Sequence, residues 1–400
     1  MKKLANRKLV LYALALINFT HIVDSMLIMP LGDIFISEFG ISPAEYGILV
    51  SGYAFSAFLS SLIGVFFIDR FDRRRFLLLI YVGFSLGTLA CVFANSYESL
   101  LLLRMATGFF GGMIGTIVLS VVSDLYLFKE RGAAMGVLFA AFSAASALGV
   151  PIGIYLAAKG TWQLPFMIIG ATALGISLLI YFLFPSMTGH LDAQQKEFNY
   201  KRTIHNITSD KNQLRALAAG FVLILAHFLI IPFISPYLIQ NVGLTQMEIS
   251  YQFFFGGLAT IISSPVIGRL TDTYGVMKVF IAVMLISWVP TMLITTLSVV
   301  PVALAITYTT MFFIFASGRM IPSNTIITAA AGVENRGSFM SIKSALQQLA
   351  IGLSALIAGG IIHTDANGDF LYYEYVGLLS IVAGIAAIWL VSRIRVAKGN

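Results

Sequence analysis

The sequence is poor in charged residues and in cysteine. Only 11% of its 400 residues are Asp, Glu, Lys or Arg, whereas 58% are hydrophobic. That balance excludes a soluble globular protein. The single cysteine, Cys91, lies inside an apolar run, so an intrachain disulfide is impossible and redox chemistry is not expected.

Sequence motifs for nucleotide binding and catalysis are also missing. No loop of the form G-x-x-x-x-G-K-[ST] occurs, which argues against direct use of ATP. The sequence has no evident cluster of metal ligands and no nucleophile constellation. We therefore predict a protein that is not an enzyme and that needs no metal or cofactor.

Long apolar runs fill the rest of the sequence. Each has about 20 residues, enough to cross a hydrocarbon layer of ~30 Å as a helix, and none alternates as a membrane β-strand would. The runs are centred near Ile17, Ala57, Leu86, Gly112, Ala144, Leu174, His227, Ala259, Leu285, Ile314, Gly352 and Gly384. We predict an all-α integral membrane protein with twelve transmembrane helices, called spans one to twelve. The first run is too long for a signal peptide, so span one is expected to be uncleaved.

The basic residues predict the orientation of the spans. Arg104 and Arg319 fall within apolar runs, and Lys159 falls on one outer loop. All other Lys and Arg residues, among them Lys343, are assigned to the opposite side. This asymmetry predicts that both termini are cytoplasmic, and it explains the net charge of +7 by anionic lipid without nucleic acid. Short loops favour a bacterial inner membrane.

The chain divides into two similar halves. A polar stretch predicts a cytoplasmic linker over 185–213, between six-helix bundles at 1–184 and 214–400. RLTDTYG at 269–275 matches FIDRFDR at 67–73, with Asp272 following Asp69 by 203 positions (272 − 69). NRGSFMS matches ERGAAMG, and His227 matches His21, at nearly the same offset. We therefore expect two bundles related by pseudo-two-fold symmetry, with a cavity between them.

Asp24 on span one is the first candidate for function. A carboxylate near the middle of a bilayer costs about 2.5 to 3.5 kcal/mol, and burial disfavours its ionised form. We predict that Asp24 gains and loses a proton, with Arg104 on span four as its counter-charge. Two alternatives stay open, namely a permanent structural ion pair and an Arg104 that clamps backbone carbonyls.

Other polar residues are candidates for the cavity wall. His21 shares a helix face with Asp24 and Asn18, and we expect this face to line the cavity. His21 and its counterpart His227 bind substrate or protons in one interpretation and only pack in the other. Tyr53 and Tyr251 are predicted to belong to an adaptable aromatic wall.

The second half offers a different set of polar groups. The side chains of Arg319, Asn324, Gln347 and Gln348 are predicted to hold an anionic or sugar-like substrate. Alternatively, Arg319 bonds the carbonyl groups that Pro322 frees in its own helix.

Three motifs carry a family resemblance. VFFIDRFDRRR at 65–75 resembles the signature loop of the major facilitator superfamily, and GRLTDTYGVMK at 268–278 resembles its second copy. LLLRMATGFFGG at 101–112 is similar to the fourth-span motif of proton-driven transporters. ALGVPIG at 147–153 is similar to the antiporter motif, in the form of the arabinose or purine efflux permeases within the drug:proton antiporter family.

The resemblance implies a gate at the cytoplasmic side. Asp69 is expected to face the start of span eleven near Arg336, and Arg70 and Arg73 to pair with Asp124 and Glu130. Asp272 occupies the equivalent loop in the second half. In the alternative interpretation these charges only set topology. The motif residues Gly149, Pro151 and Gly153 are expected to let span five bend.

The sequence as a whole predicts a monomeric transporter that exports small organic compounds, such as drugs or sugars, and is driven by protons. Its partners are then a small-molecule substrate, protons and membrane lipids. Proton-coupled uptake, a lipid or lysolipid flippase, and a sensor without transport stay open as alternatives.

Overall fold

The protein is described by a computed structural model over residues 2–68, 70–126, 128–188, 209–332 and 336–395. Within these ranges, twelve helices are long and apolar enough to cross a membrane. The predicted all-α fold with twelve spans is therefore confirmed. Most of the predicted linker, residues 189–208, lies outside the described residues, as does Asp69.

Spans one to six are built from Lys2–Leu27, Pro43–Phe67, Arg73–Ala90 with a 3₁₀ turn at Cys91–Phe93, Tyr97–Leu125, a fifth span of three pieces, and Gln163–Leu183. The pieces of span five are Phe128–Ala144, a π-helical turn at Ala145–Gly149, and Val150–Lys159. Spans seven to twelve are built from Lys211–Phe228 with Ile231–Gln240, Gln246–Tyr274, Val276–Thr295, Val302–Gly318 with Met320–Ala329, Arg336–Ile361, and Tyr373–Ser392. A short helix, Gly32–Phe39, follows span one, and the strands His363–Thr364 and Phe370–Leu371 pair antiparallel before span twelve.

Side-chain caps set where several spans begin. The Ser96 and Thr245 hydroxyls accept bonds from backbone amides three residues later, and Ser99 and Glu248 return them, which completes a capping box at spans four and eight. Asp210 caps span seven by accepting bonds from two backbone amides. These local contacts fix the entry points of helices whose length comes from their apolar runs.

Spans five, seven and ten are interrupted within the membrane. The π-helical turn of span five ends at Gly149, two residues before Pro151. Span seven is interrupted at Leu229 and Ile230, before Pro232. Span ten is interrupted at Arg319, three residues before Pro322. Proline removes one backbone donor and clashes with the preceding turn, so breaks near these positions follow from the sequence.

The chain groups into two compact units, Met1–Ile28 with Gly52–Phe198, and Met29–Ser51 with Asn199–Asn400. The core of the first unit is an apolar cluster from spans one, three, four, five and six, with Leu14, Phe84 and Ile117 fully or almost fully buried. The core of the second unit is built around Leu223, Phe280 and Phe339.

Spans two and four lie very close together in the first unit. A Cβ at Gly108 would overlap the backbone carbonyl of Tyr53, and one at Gly112 would overlap that of Ala57. Small residues four positions apart allow such backbone contact between membrane helices. This contact places Tyr53 beside span four, next to Arg104.

In the second unit, the segment Met29–Ser51 packs against the ends of later spans. The Tyr46 hydroxyl lies 3.0 Å from the carbonyl oxygens of both Met29 and Pro232. The Gln240 amide donates to Asp33 Oδ1 at 2.5 Å, and burial raises the pKa of the Asp33 carboxyl despite this bond. The segment is thereby fixed to span seven by side-chain contacts.

Candidate functional site

Asp24 and Arg104 form an ion pair inside the first unit. Arg104 Nη1 donates to both carboxylate oxygens, at 3.0 and 2.9 Å, and Nη2 donates to the Asp24 carbonyl oxygen at 3.3 Å. The Thr88 hydroxyl adds a bond to Asp24 Oδ1 at 3.1 Å. Neither charged side chain has any exposed surface. The contact expected from the sequence is present, and spans one, three and four all contribute to it.

Aromatic rings enclose the guanidinium of this pair. The Arg104 carbon Cζ lies 4.6 Å from the ring centroid of Tyr53 and 5.6 Å from that of Phe166. Such cation–π contacts strengthen when water is excluded. Tyr53 is 6% exposed and belongs to the surroundings of the ion pair, whereas its predicted place in an adaptable aromatic wall stays a prediction.

The expected cavity-lining face of span one is only partly exposed. His21 is half-buried, with Nε2 3.3 Å from the Tyr53 hydroxyl, and its ring meets Phe84 edge to face. Asn18 is also half-buried and donates to the Leu138 carbonyl at 3.3 Å. Asp24 itself is fully buried, and its side chain is bonded by Arg104 and Thr88.

Span five contacts span one on both sides of Asp24. A Cβ at Gly149 would overlap the Val23 side chain, and one at Gly153 would approach Leu27 Cδ1 to 2.7 Å. The glycines of the G-V-P-I-G pattern therefore permit close packing next to the ion pair. The π-helical turn ends at the same place, and such turns are frequent at functional sites.

Arg319 occupies the break in span ten and is 2% exposed. Its Nη1 lies 3.4 Å from Ser287 Oγ and 3.9 Å from Met284 Sδ, both on span nine. Nε bonds nothing within the described part of the chain. These contacts are with span nine side chains, so they do not support the alternative that Arg319 bonds the carbonyl groups freed by Pro322.

His227 lies in the same unit, on span seven, and faces span ten. Its ring is half-buried and stacks on Phe312 with centroids 6.2 Å apart. The ring nitrogen Nδ1 is buried and has no hydrogen-bond partner among the described residues. His227 thus differs from His21, which has Tyr53 as a partner.

Lys343, which the sequence assigned to the cytoplasmic side, lies two turns after the start of span eleven and is only 6% exposed. Its burial was not predicted. Its Nζ donates to Asn324 Oδ1 at 2.5 Å. Asn324 is therefore a partner of Lys343 through its oxygen, while the predicted contact of its amide donors with a substrate stays a prediction.

The remaining candidates of the second half are dispersed. Gln347 and Gln348 are half-buried on span eleven, and the structure shows no bond from either to Arg319. Tyr251 is 49% exposed on span eight. Gln252 was not among the predicted site residues. Its side chain is fully buried, and its amide atoms bond nothing in the described ranges. A polar amide within an apolar run is the sequence feature that could have identified it.

The predicted gate residues are only partly brought together. Arg73 Nε donates to Asp124 Oδ2 at 3.1 Å, as expected. Glu130 pairs with Arg7 at 3.4 Å instead of with Arg70 or Arg73, because Arg7 also donates to the Leu125 carbonyl beside it. Arg70 is exposed, as is Asp272 at the end of span eight. The predicted partners Asp69 and Arg336 are not comparable, since Asp69 and the Arg336 side chain lie outside the described part.

Asp72 in the same loop has a role that the sequence analysis missed. Its carboxylate caps span three through the Arg74 amide and also accepts bonds from the Met187 amide and the Ser186 hydroxyl. Burial opposes ionisation, but these bonds and the Arg75 charge together lower the pKa of Asp72 below its ordinary value. An acidic residue directly before a helix is the signal for such a cap.

Comparisons with known proteins agree with this architecture. The sequence model of the Major Facilitator Superfamily matches residues 14–209 and 216–400. The chain is 25% identical over 270 residues to the uncharacterized MFS-type transporter YceJ of Bacillus subtilis, covering 66% of this chain and 67% of that protein. It is 25% identical over 279 residues to a protein of Helicobacter acinonychis named "probable sugar efflux transporter", covering 68% and 67%.

Solved structures share the fold across almost the whole chain. A crystal structure of a D-xylose–proton symporter superposes with a TM-score of 0.78 at 14% identity, covering 98% of each chain. An inward-open structure of the xylose transporter XylE from E. coli gives 0.76 at 15% identity, again with 98% of each chain covered. Because the family model matches nearly the full length of the chain, the protein belongs to the Major Facilitator Superfamily and is a multi-pass membrane transporter of small molecules.

Proposed function

We propose that this transporter exports small organic compounds in exchange for protons, and that Asp24 carries the proton. The observation that carries the proposal is the buried Asp24–Arg104 pair. A buried charge is tolerated when it is paired, and an intramembrane acid usually marks a proton or substrate path. Arg104 stays protonated at physiological pH. In the proposed cycle, only Asp24 therefore changes its charge.

The contacts of the pair suggest how a proton changes it. Arg104 stabilises the ionised carboxylate through two charge-assisted bonds, whereas a protonated Asp24 accepts them more weakly. In the proposed cycle, water reaches Asp24 in one conformation, a proton replaces Arg104 as its partner, and the released guanidinium changes its contacts. Each proton moving through 100 mV supplies about 2.3 kcal/mol, enough for roughly fifty-fold accumulation of substrate.

Two observations favour export over uptake. The G-V-P-I-G pattern of span five resembles the antiporter motif, and its glycines pack on span one next to Asp24. The similar protein of Helicobacter acinonychis carries the name of a sugar efflux transporter. Sugars and related metabolites are therefore the first substrates to test. We further propose an inner-membrane monomer with both termini in the cytoplasm, driven by the proton gradient without a cofactor.

Proteoliposomes with an imposed pH gradient test the proposal. The expected result is that the gradient drives accumulation of a transported sugar by the wild type, that adding the sugar releases protons, and that Asp24→Asn abolishes both. Glu38→Gln, which neutralises an exposed carboxylate on the short helix after span one, is the control and should retain both.

Each alternative gives a different result in the same vesicles. Entry of sugar together with protons would contradict export and indicate symport. Scrambling of a fluorescent lipid without added solute would indicate a flippase. Undiminished gradient-driven flux in Asp24→Asn would refute the assignment of Asp24.

A further inference from the structure

In the second unit the buried cation Arg319 has no acidic partner among the described residues. The ion pairs in the described ranges are Arg7–Glu130, Arg73–Asp124 and Arg104–Asp24, so none includes Arg319. Arg319 is nevertheless 2% exposed and remains charged at physiological pH. Burying a charge without an opposite charge is costly, and proteins usually pair such groups.

The neutral contacts of Arg319 do not replace that missing charge. A guanidinium has five N–H donors, and the nearest acceptors are one hydroxyl at 3.4 Å and one thioether sulfur at 3.9 Å. Ser287 Oγ already donates its own proton to the Met284 carbonyl at 2.7 Å. Nε has no partner among the described residues. A purely structural clamp would leave fewer of these donors unused.

Arg104 shows what a satisfied guanidinium looks like in this protein. It has a bidentate carboxylate, a backbone carbonyl and two aromatic rings. Arg319 is almost as deeply buried, but among the described residues it bonds neither a carboxylate nor a backbone carbonyl. Arg104 therefore has an acidic partner, and Arg319 has none in the described part of the chain.

Two further features make the surroundings of Arg319 suitable for an anion. His227 stacks on Phe312, which lies seven residues before Arg319 on the same face of span ten, and its buried ring nitrogen Nδ1 has no partner among the described residues. Lys343 on span eleven is a second buried cation of the same unit, and it bonds Asn324, five residues after Arg319 on span ten.

We infer that Arg319 binds an anionic group, a carboxylate or a phosphate, of the solute that this protein transports, with the His227 ring as a second polar contact. The inference rests on the proposed transport of small solutes and narrows them from sugars and related metabolites in general to acids, with sugar acids such as gluconate among them. In this account the solute supplies the negative charge that Arg319 lacks. A bidentate bond from a planar guanidinium to an anion gives both affinity and orientation.

The test uses purified full-length protein in detergent and pairs of acids with neutral analogues. The pairs are gluconate with glucose, benzoate with benzamide, and glycerol 3-phosphate with glycerol. We expect at least one acid to raise the melting temperature while its neutral analogue does not. Arg319→Gln should weaken the apparent affinity for that acid by about ten- to a hundredfold, because a charge-assisted bond is lost.

Two variants control for folding and for nonspecific charge. Arg319→Lys keeps the positive charge but lacks the planar guanidinium, so it should retain part of the affinity for the acid. Such partial binding would show that the loss of binding in Arg319→Gln does not come from misfolding. Arg393→Gln removes an exposed arginine that stacks on Trp389 in the same unit and should leave the response unchanged.

Several results would overturn the inference. They are equal responses to acid and neutral analogue, equal responses in wild type and Arg319→Gln, no response to any acid, or an Arg319-dependent response only to added phosphatidylglycerol. Asp24→Asn separates this inference from proton coupling, since it should keep the acid response while losing gradient-driven flux. An acid response that needs Arg319 in a protein without proton-driven flux would refute the coupling alone.

Discussion

Replacing Arg104 by glutamine should destabilise the protein strongly, because it strands a buried carboxylate. Arg104→Gln removes two bonds, of 2.9 and 3.0 Å, from Asp24 and leaves it only the Thr88 hydroxyl. Neither side chain of the pair reaches solvent. Breaking a buried pair by removing one partner typically costs about 3 to 5 kcal/mol, and we expect a loss in this range.

The double variant Asp24→Asn with Arg104→Gln removes both charges together. Two neutral amides replace the ion pair without an isolated charge, so we expect stability within about 1 to 2 kcal/mol of the wild type. The two single variants and the double variant form a cycle whose interaction energy isolates the pair.

The assay is reversible unfolding in mixed micelles at two pH values. The penalty of Arg104→Gln should shrink as the pH falls, because a proton then neutralises the stranded Asp24. A cost below about 1 kcal/mol, or a double variant as unstable as the sum of the single ones, would refute the reasoning.

Three smaller effects follow from the same structure. Gly149→Ala should cost about 1 to 3 kcal/mol in micelle unfolding because its Cβ overlaps Val23, whereas Gly136→Ala, with open space around it, should not destabilise. Arg319→Gln should unfold no more easily than wild type, since it removes an uncompensated buried charge. Asp72→Ala should lower stability by about 1 kcal/mol at pH 7, measured by thermal unfolding, through loss of the span-three cap. Because the folded pKa of Asp72 is depressed, its contribution is present above the ordinary value of 3.8 and disappears as the pH falls through the folded pKa.

The twelve spans were predictable because membrane helices are specified by length and hydropathy alone. The Asp24–Arg104 contact was also predictable, since two opposite charges at compatible depths in a bilayer have few other ways to be satisfied. The breaks in spans five, seven and ten lie beside prolines that the sequence displays.

Other features depend on packing that the sequence does not display. The sequence assigned Lys343 only to the cytoplasmic side, because its burial and its bond to Asn324 depend on how spans ten and eleven pack. Glu130 was assigned to the wrong arginine, since Arg7 comes from the distant start of the chain. The packing of the Tyr53 ring over Arg104 was not predicted, because it depends on the close approach of spans two and four.

The central claim is that Asp24 gains and loses a proton, and infrared difference spectroscopy with pH steps tests it most directly. The account predicts a carboxylic acid band that appears in the wild type as the pH falls, that is absent in Asp24→Asn, and whose midpoint shifts when a transported substrate is added. A spectrum that is the same in the wild type and in Asp24→Asn across the whole pH series would contradict the account.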